Sequence, residues 1–307
     1  MAIDANFYNS ASAAKLGWDP TWFDAENFDE KLSKNVRKFQ KDFNLKADGL
    51  VGPITYRRIL TSREFMKGLD NIEKGMAKFS DTVAPGNIIC GGEEVPIEWE
   101  KTVNINSSDA LTLPKDCYKI SDTEREPRMI VTHWDAALSA DSCFNILKRR
   151  GISSHFVIDN DGTIYQMVDT NDIAWHAGSV NKHSVGIDFS NAYYTKYQKW
   201  YIKKGFGRRP VLEDSMVHGR KMKAHLGYYE VQLEAYKALV KALCTHYDIP
   251  LVCPVDQQGR YLTTIYKPAV SGKFSGIVGH LNLSKRKIDC AGLKIGKLIG
   301  EITSGTT

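Results

Sequence analysis

The sequence predicts an α/β fold in residues 128–300, a mixed β-sheet flanked by helices, preceded by a small all-α module in residues 1–62. Two observations support this division. From Arg128 onward, short apolar runs typical of buried strands alternate with amphipathic helical segments, which indicates a sheet with helices packed on its faces. Residues 29–60 instead hold two helical segments around an Asp-Gly turn, a module too short to be an enzyme by itself.

The composition is ordinary for a globular protein. The residues are 42% hydrophobic and 25% charged. The length of 307 residues is enough for two domains, or for one large domain with an appendage. The net charge of +5 is compatible with an anionic polymer as partner without identifying one. We expect no membrane partner, because no apolar run approaches the roughly 18 residues of a membrane span. We also expect no secretory signal and no disulfide framework, because the N-terminus lacks an apolar core and the six cysteines are scattered.

The helices of the N-terminal module are predicted from apolar spacing and turn residues. Leu32, Val36, Phe39 and Phe43 recur at helical spacing and place one apolar stripe on an amphipathic helix. NLKADG then ends the helix, and Pro53 suits the first turn of a second one. Lys and Arg alternate here with acidic and amide residues, so a helix-turn-helix that reads nucleic acid is disfavoured.

Residues 63–127 are predicted to form a connector with a short β-hairpin. The stretch FMKGLDNIEKGMAKFSDTV (65–83) has a helical period. NIICGGEEVPIEWEKTVNI (87–105) predicts two strands around Gly91-Gly92. We predict no chemistry for this region.

The first half of the α/β region has a clear local signal for each element. RMIVTHW (128–134) predicts a buried strand ending at His133. Residues 139–151 predict a helix with an N-cap serine and a glycine stop. SSHFVIDNDGTIYQMV (153–168) predicts two strands joined by Asn160-Asp161-Gly162, a strong hairpin signal.

The second half contains two further strands and a long helix. HSVGIDFSN (183–191) predicts a buried strand, and residues 228–250 predict an amphipathic helix. GIVGHLN (276–282) predicts a last strand that delivers His280. His133 and His280 thus end two apolar strands, whereas His155 alternates inside a hairpin strand. A zinc ion that keeps one position open needs three protein ligands, and Asp289 and Cys290 are the candidates for the third.

These motifs resemble those of the zinc-dependent N-acetylmuramoyl-L-alanine amidases of phages and bacteria, whose fold is shared with peptidoglycan recognition proteins. The family's order of motifs is kept in IVTHWD, ISSHFVIDNDGTIYQMV, IAWHAG, NKHSVGIDFSN and GHLNLSKRKIDCAG. VRKFQKDFNLKADGLVGPITYRRIL (36–60) resembles the helical peptidoglycan-binding module of cell-wall hydrolases, with Phe39-Gln40, Asp48-Gly49, Gly52-Pro53 and Thr55 in the expected places.

The resemblance implies one zinc ion held by His133, His280 and a third ligand that two alignments assign differently. Aligned without a gap from His280, Cys290 takes the ligand position. In the family, a lysine stands two positions before the last ligand. When the sequence is aligned through Lys287, Asp289 takes the ligand position. Because a thiolate is the softer and usually tighter zinc ligand, we predict Cys290, with Asp289 as a neighbouring acceptor or an exposed charge.

The resemblance also implies the reaction and its catalytic groups. An open zinc position lowers the pKa of bound water to roughly 7 and polarises a carbonyl. The scissile bond is then the amide between N-acetylmuramic acid and L-alanine. We predict Asp188 as general base and Lys287 as the cation that stabilises the oxyanion. The alternative for Asp188 is a structural carboxylate that bonds to loop amides. The alternative for Lys287 is a solvated cation in a basic loop.

Three further residues are assigned to substrate binding by the resemblance: His155, Trp175 and His176. Ser154 stands where other members carry a tyrosine, which favours the version of the site with an acidic residue. Residues 191–227 are an insertion rich in aromatic and basic residues. This composition suits an anionic glycan, a nucleic acid or a structural flap.

The expected function is therefore a monomeric phage endolysin that cleaves bacterial peptidoglycan, with no nucleic acid as partner. It would stay in the host cytoplasm until lysis. The alternative is a non-catalytic peptidoglycan-binding protein of the recognition type. Those binders usually lack the third zinc ligand, whereas this chain has two candidates for it.

Overall fold

The computed structural model describes residues 4–70 and 86–305. Contacts divide the chain into two compact units, residues 1–71 and 72–307. Each unit has a hydrophobic core of its own. Within the described ranges, no helix combines the length and the apolar character needed to cross a membrane.

The first unit is helical, as its sequence predicts. Its α-helices are α1 (Ala5–Leu16), α2 (Glu30–Asp42) and α3 (Pro53–Asp70). Helix α2 and the start of α3 confirm the two predicted helices. Helix α1 was not predicted, because its apolar residues do not follow one helical stripe. Helix α3 continues past residue 62, and the part of the predicted helical period after residue 70 lies outside the described residues.

A buried glutamine connects the turn and the helices of the peptidoglycan-binding motif. The Gln40 amide nitrogen lies 2.9 Å from Asp48 Oδ1 and 3.1 Å from Thr55 Oγ1. The Gln40 amide oxygen accepts from the backbone N–H of Gly49 at 2.9 Å. Gly49 has φ of +80°, a conformation that glycine adopts without a Cβ clash. Gln40, Asp48, Gly49 and Thr55 of the motif therefore form one hydrogen-bond network that fixes the turn.

The second unit is a mixed α/β domain. Its helices are α4 (Ala140–Arg150), α5 (Gln198–Lys203), α6 (Glu230–Tyr247), α7 (Lys267–Val270) and α8 (Ile295–Ser304). Its strands are β1 (Gly86–Cys90), β2 (Glu93–Ile97), β3 (Thr102–Val103), β4 (Tyr118–Lys119), β5 (Met129–Trp134), β6 (Phe156–Ile158), β7 (Ile164–Gln166), β8 (Ile173–Ala174), β9 (Ser184–Phe189), β10 (Val211–Leu212), β11 (Met216–Val217), β12 (Arg220–Lys221), β13 (His225–Leu226) and β14 (Gly276–Gly279).

The central sheet has six strands in the order β14-β5-β9-β6-β7-β3. The first four strands are parallel, β6 and β7 form an antiparallel hairpin, and β3 runs parallel to β7. This arrangement confirms the predicted mixed sheet. The strands β5, β9 and β14 are fully buried, which explains why they read as continuous apolar runs rather than as alternating patterns.

The two faces of the sheet have different neighbours. One face contributes Ile130, Val185 and Ile187 to the main core, together with residues of α6 and α8. The other face carries Met129 and Val131, which belong to a smaller apolar cluster. Because side chains alternate along a strand, His133 lies on the same face as Met129 and Val131.

The predicted turns and caps are present. Helix α4 begins after Ser139, whose hydroxyl accepts from the backbone N–H of Ser142, and ends at Gly151 with φ of +60°. The β6–β7 hairpin turns at Gly162, which has φ of +83°. Strands β1 and β2 pair antiparallel around Gly91-Gly92, as the sequence predicts.

The insertion at 191–227 packs its aromatic side chains into the domain. Tyr197, Trp200 and Tyr201 are buried. The Arg209 guanidinium lies 4.4 Å from the Tyr201 ring centroid and 4.3 Å from that of Tyr229. It also donates to the carbonyl oxygen of Gly227 at 2.8 Å. Because these rings are buried, they are not displayed for stacking on sugars or bases, and the geometry favours the structural role.

Candidate metal centre

The candidate site lies where neighbouring parallel strands end. Strands β14, β5 and β9 are adjacent, so their carboxyl ends meet at one edge of the sheet. His133 pairs in register with Asp188 of β9. His280 directly follows Gly279, whose register partner is Thr132. The side chains of His133, His280 and Asp188 therefore start from one edge and one face of the sheet.

Three buried side chains converge at this edge. The His133 and His280 Nδ1 atoms are 2.9 Å apart. The Asp289 Oδ2 atom lies 3.2 Å from the first and 3.0 Å from the second. Tetrahedral zinc with bonds of roughly 2.0–2.1 Å separates its ligand atoms by about 3.3 Å. Two imidazole nitrogens and a carboxylate oxygen at these distances fit a catalytic zinc site.

The environment favours the protonation states that metal ligation requires. Burial lowers the pKa of His280 to about 4, although the Asp289 carboxylate opposes this effect. Burial alone would raise the pKa of Asp289, but the neighbouring imidazoles of His280 and His133 hold it well below its ordinary value. Near neutral pH, His280 is therefore neutral and Asp289 is ionised, as zinc ligands must be.

Backbone and side-chain hydrogen bonds fold the last loop back onto His280. The Leu281 N–H donates to the carbonyl oxygen of Asp289 at 2.8 Å. The Gly279 N–H lies 2.9 Å from the Tyr261 hydroxyl and 3.0 Å from Asn282 Oδ1. The Asn282 amide nitrogen donates to the Leu262 carbonyl oxygen at 2.7 Å. These bonds bring Asp289 beside His280 although nine positions separate the two residues along the chain.

This geometry favours Asp289 over the predicted Cys290 as the third ligand. In the described part of the chain, the group whose ligand atoms all lie within 4.8 Å of one another is His133, His280 and Asp289. Cys290 is instead buried in the main hydrophobic core. Burial and the charges of Asp289 and Asp188 raise the pKa of its thiol well above the ordinary value, so the thiolate is disfavoured. Of the two alignments, the one through Lys287 agrees with the structure.

Asp188 and Lys287 both lie near the cluster. Asp188 is the last residue but one of β9, is 8% exposed, and its charge contributes to the raised pKa values of Cys290 and Asp135. Burial is the main cause of the low pKa of His280, and the Lys287 cation makes a smaller contribution in the same direction. The Lys287 carbonyl oxygen accepts from His218 Nε2 at 3.0 Å. The catalytic roles of Asp188 and Lys287 stay predictions.

His155, which the resemblance assigns to substrate binding, lies inside the protein. Its side chain is fully buried. Nδ1 accepts from the Gly186 N–H at 2.9 Å, and Nε2 lies 3.1 Å from the Asp172 carbonyl oxygen. Burial and the Arg125 cation lower the pKa of His155 to about 3. Both nitrogens are engaged within the protein, so His155 connects the start of β6 to Gly186 of β9 and to Asp172. Its assignment to substrate binding stays a prediction.

In the IAWHAG segment, Trp175 is exposed, whereas His176 points into the protein. Trp175 is 39% exposed, and its backbone N–H donates to Ser153 Oγ at 2.8 Å, so its assignment to substrate binding stays a prediction. The His176 ring points towards the cluster, with Nδ1 3.0 Å from His133 Nε2. Its contact with a metal-ligand candidate was not predicted, because the signal is a spatial neighbour and not a sequence pattern.

Two family profiles match the sequence. The profile described as N-acetylmuramoyl-L-alanine amidase matches residues 123–291, which is more than half of the chain. The profile described as putative peptidoglycan binding domain matches residues 14–59. No curated protein is significantly similar to the chain.

Several solved structures share low similarity with this chain. The N-acetylmuramyl-L-alanine amidase AmiD from E. coli is 18% identical, with 60% of each chain covered and a TM-score of 0.37. The N-acetylmuramoyl-L-alanine amidase LysC from Clostridium intestinale URNW is 18% identical, with 66% of this chain and 97% of that chain covered and a TM-score of 0.37. AmpDh3 from Pseudomonas aeruginosa is 19% identical, with 62% and 66% covered and a TM-score of 0.38. These likenesses are too weak to bear on mechanism. On the profile match over residues 123–291, the chain belongs to the N-acetylmuramoyl-L-alanine amidase family.

Proposed function

We propose that this amidase cleaves the bond between N-acetylmuramic acid and L-alanine in peptidoglycan with one zinc ion held by His133, His280 and Asp289. The observation that carries the proposal is the convergence of two imidazole nitrogens and one carboxylate oxygen within 2.9–3.2 Å of one another. All three side chains are buried at the carboxyl edge of a parallel sheet segment. A structural role alone gives no reason for two histidines and a carboxylate to meet there.

The residues around the cluster supply the remaining chemistry. When bound, zinc polarises the scissile carbonyl and provides a water of lowered pKa. The Asp188 carboxylate accepts a proton from the attacking water and returns it to the amine of L-alanine as that group leaves. The Lys287 ammonium stabilises the negative charge that develops on the carbonyl oxygen. The exposed ring of Trp175 contacts the part of the substrate outside the reacting centre.

Metal removal tests the proposal. We expect the purified protein to contain one zinc per chain and to release dye from labelled murein. Incubation with a chelator should abolish the release, because zinc ligation is reversible and the chain supplies three of the four ligands. Adding zinc back should restore it. Activity that survives complete zinc removal would contradict the metal centre, and zinc binding without murein hydrolysis would favour the non-catalytic recognition role.

We also propose that the N-terminal unit binds peptidoglycan, with the cavity beside the Gln40 network as its contact site. The cavity has a volume of about 280 Å³ and is lined by ten residues: Tyr8, Gln40, Leu45, Lys46, Asp48, Leu50, Gly52, Pro53, Ile54 and Thr55. Ile54 is 57% exposed and lines this cavity, so its side chain offers an apolar contact to a ligand that enters it. The match to the putative peptidoglycan binding domain supports this role. A function in host lysis and a monomeric state stay predictions.

Sedimentation with murein sacculi tests the wall-binding role. Because the second unit has its own core, deleting residues 1–71 should leave a folded amidase that sediments less with insoluble sacculi and still cleaves a soluble muropeptide. In the full chain, Ile54→Ser should weaken sedimentation. Phe7→Ser is the matched control, since Phe7 is 76% exposed and does not line the cavity. Equal sedimentation of the full and shortened chains would refute the role of this unit.

A further inference from the structure

The ring of His176 uses both of its nitrogens inside the protein. Nδ1 lies 3.0 Å from Nε2 of His133, and Nε2 lies 3.2 Å from the hydroxyl oxygen of Ser184. Ser184 is fully buried. Neither nitrogen of His176 is therefore available to a substrate, and its contacts instead connect the candidate metal ligand His133 to the interior of β9.

The hydrogen bonds determine where each proton lies. The Ser184 hydroxyl donates its single proton to the Val180 carbonyl oxygen at 2.9 Å, so towards His176 it can only accept. His176 must then carry its proton on Nε2 and present a lone pair on Nδ1. Towards that lone pair, His133 donates its Nε2–H. In the neutral form that metal ligation requires, the lone pair of His133 is consequently on Nδ1, the atom that lies 2.9 Å from His280 Nδ1 and 3.2 Å from Asp289 Oδ2.

We propose that His176 is a positioning residue that selects the zinc-binding tautomer of His133, and not a contact for substrate. This inference rests on the proposed zinc site. A histidine that ligates a metal through one nitrogen commonly donates the proton of its other nitrogen to an acceptor that fixes its tautomer and orientation. In this chain, the Val180–Ser184–His176 series supplies that acceptor, with a neutral imidazole in the place where a carboxylate or a carbonyl is more usual.

Two further features, a glycine in β9 and a hydrogen bond within the loop, determine the position of the His176 ring. A Cβ on Gly186 would come within 2.8 Å of Cγ and Nδ1 of the ring, so a glycine at this point of β9 leaves the space that the ring occupies. The loop that carries His176 is held by Asn181, whose Oδ1 accepts from the Ala177 N–H at 2.7 Å. The ring orientation is thus set by β9 and by its own loop, independently of any bound substrate.

Zinc affinity and the tautomer of His133 test the proposal in the full-length protein. His176→Ala should weaken zinc binding, measured by competition with a chromogenic chelator, by about 10–100-fold, the effect typical of losing such an acceptor. His176→Asn should recover part of this loss, because its amide oxygen can occupy the position of Nδ1. Ser179→Ala, an exposed residue of the same loop, is the control and should bind zinc as the wild type does. In the metal-free protein, ¹⁵N NMR should show the His133 proton on Nε2 in the wild type and a mixture of tautomers in His176→Ala.

The outcomes separate this inference from the proposed function. A wild-type protein that binds no zinc would refute the metal centre itself, while the tautomer measurement without metal would still decide the role of His176. If the wild type binds zinc and His176→Ala binds it equally tightly, with the His133 proton still on Nε2, the positioning role is wrong. An increase in KM for a soluble muropeptide with unchanged zinc affinity would return His176 to the substrate-binding residues.

Discussion

Replacing Asp289 with asparagine is expected to remove bound zinc and to abolish murein hydrolysis, as is replacing His133 or His280 with alanine. Asparagine keeps the shape of the side chain but loses the anionic oxygen that lies 3.0 Å from His280 Nδ1. Two neutral imidazoles are then left to hold the ion. The loss of zinc affinity should therefore exceed the roughly 10–100-fold that outer contacts typically cost. Zinc content after dialysis against a weak chelator and dye release from labelled murein are the measurements.

Cys290→Ala is the matched control for this experiment. The thiol is buried in the hydrophobic core, and its raised pKa keeps it protonated. Its removal should cost some stability through a small cavity, visible as a lower melting temperature, while zinc stays bound. The reverse result, with zinc lost from Cys290→Ala and kept by Asp289→Asn, would show that the thiolate is the ligand and that the structural assignment is wrong.

The difference between Asp289 and Cys290 lies beyond what sequence patterns resolve. The two residues are adjacent, and both offer an anionic ligand. The choice depends on the direction in which the loop leaves His280. The Leu281 N–H to Asp289 carbonyl bond fixes that direction, and no local propensity encodes such a contact. Intrinsic softness favours the thiolate, but burial next to two carboxylates disfavours the charge that the thiolate would carry.

The sheet and the position of His133 and His280 at its edge could be predicted from the sequence. The fully buried strands β5, β9 and β14 appear as short apolar runs, and His133 and His280 come where two of these runs end. Parallel strands that end at the same edge bring such residues together without further information. Helix α4 could also be predicted with its bounds, because Ser139 and Gly151 supply a cap at each end.

Burial and tertiary contacts of polar side chains could not be predicted in the same way. His155 and His176 occupy motif positions that suggest a groove, yet one is fully buried and the other contacts His133. Arg209 looks like a surface cation in a basic insertion, but it lies between two tyrosine rings and donates to a buried carbonyl. Each of these placements depends on partners far away in the sequence, which a pattern of local spacing does not contain.

Asp188→Asn is expected to reduce kcat by about 10²–10⁴-fold while zinc stays bound, because a positioned general base contributes an effect of that size. Asp188 lies opposite His133 in the β5–β9 register and therefore next to the proposed metal centre without belonging to its three ligands. The amide cannot accept a proton from the attacking water. The acid side of the pH–rate profile, where the wild-type rate falls as the carboxylate becomes protonated, should disappear in the variant together with the rate.

Asp135→Asn separates this effect from a general response to the loss of a buried carboxylate. Burial and the charge of Asp188 raise the pKa of Asp135 to about 8, so this carboxyl is largely protonated at neutral pH. Its Oδ1 accepts from the backbone N–H groups of Ala137 and Asn191 at 2.8 and 3.0 Å, and an asparagine oxygen can accept both bonds. Asp135→Asn should consequently keep a kcat close to that of the wild type. If Asp188→Asn does the same, the general base lies elsewhere; if only Asp188→Asn loses kcat with zinc retained, the proton transfer belongs to Asp188.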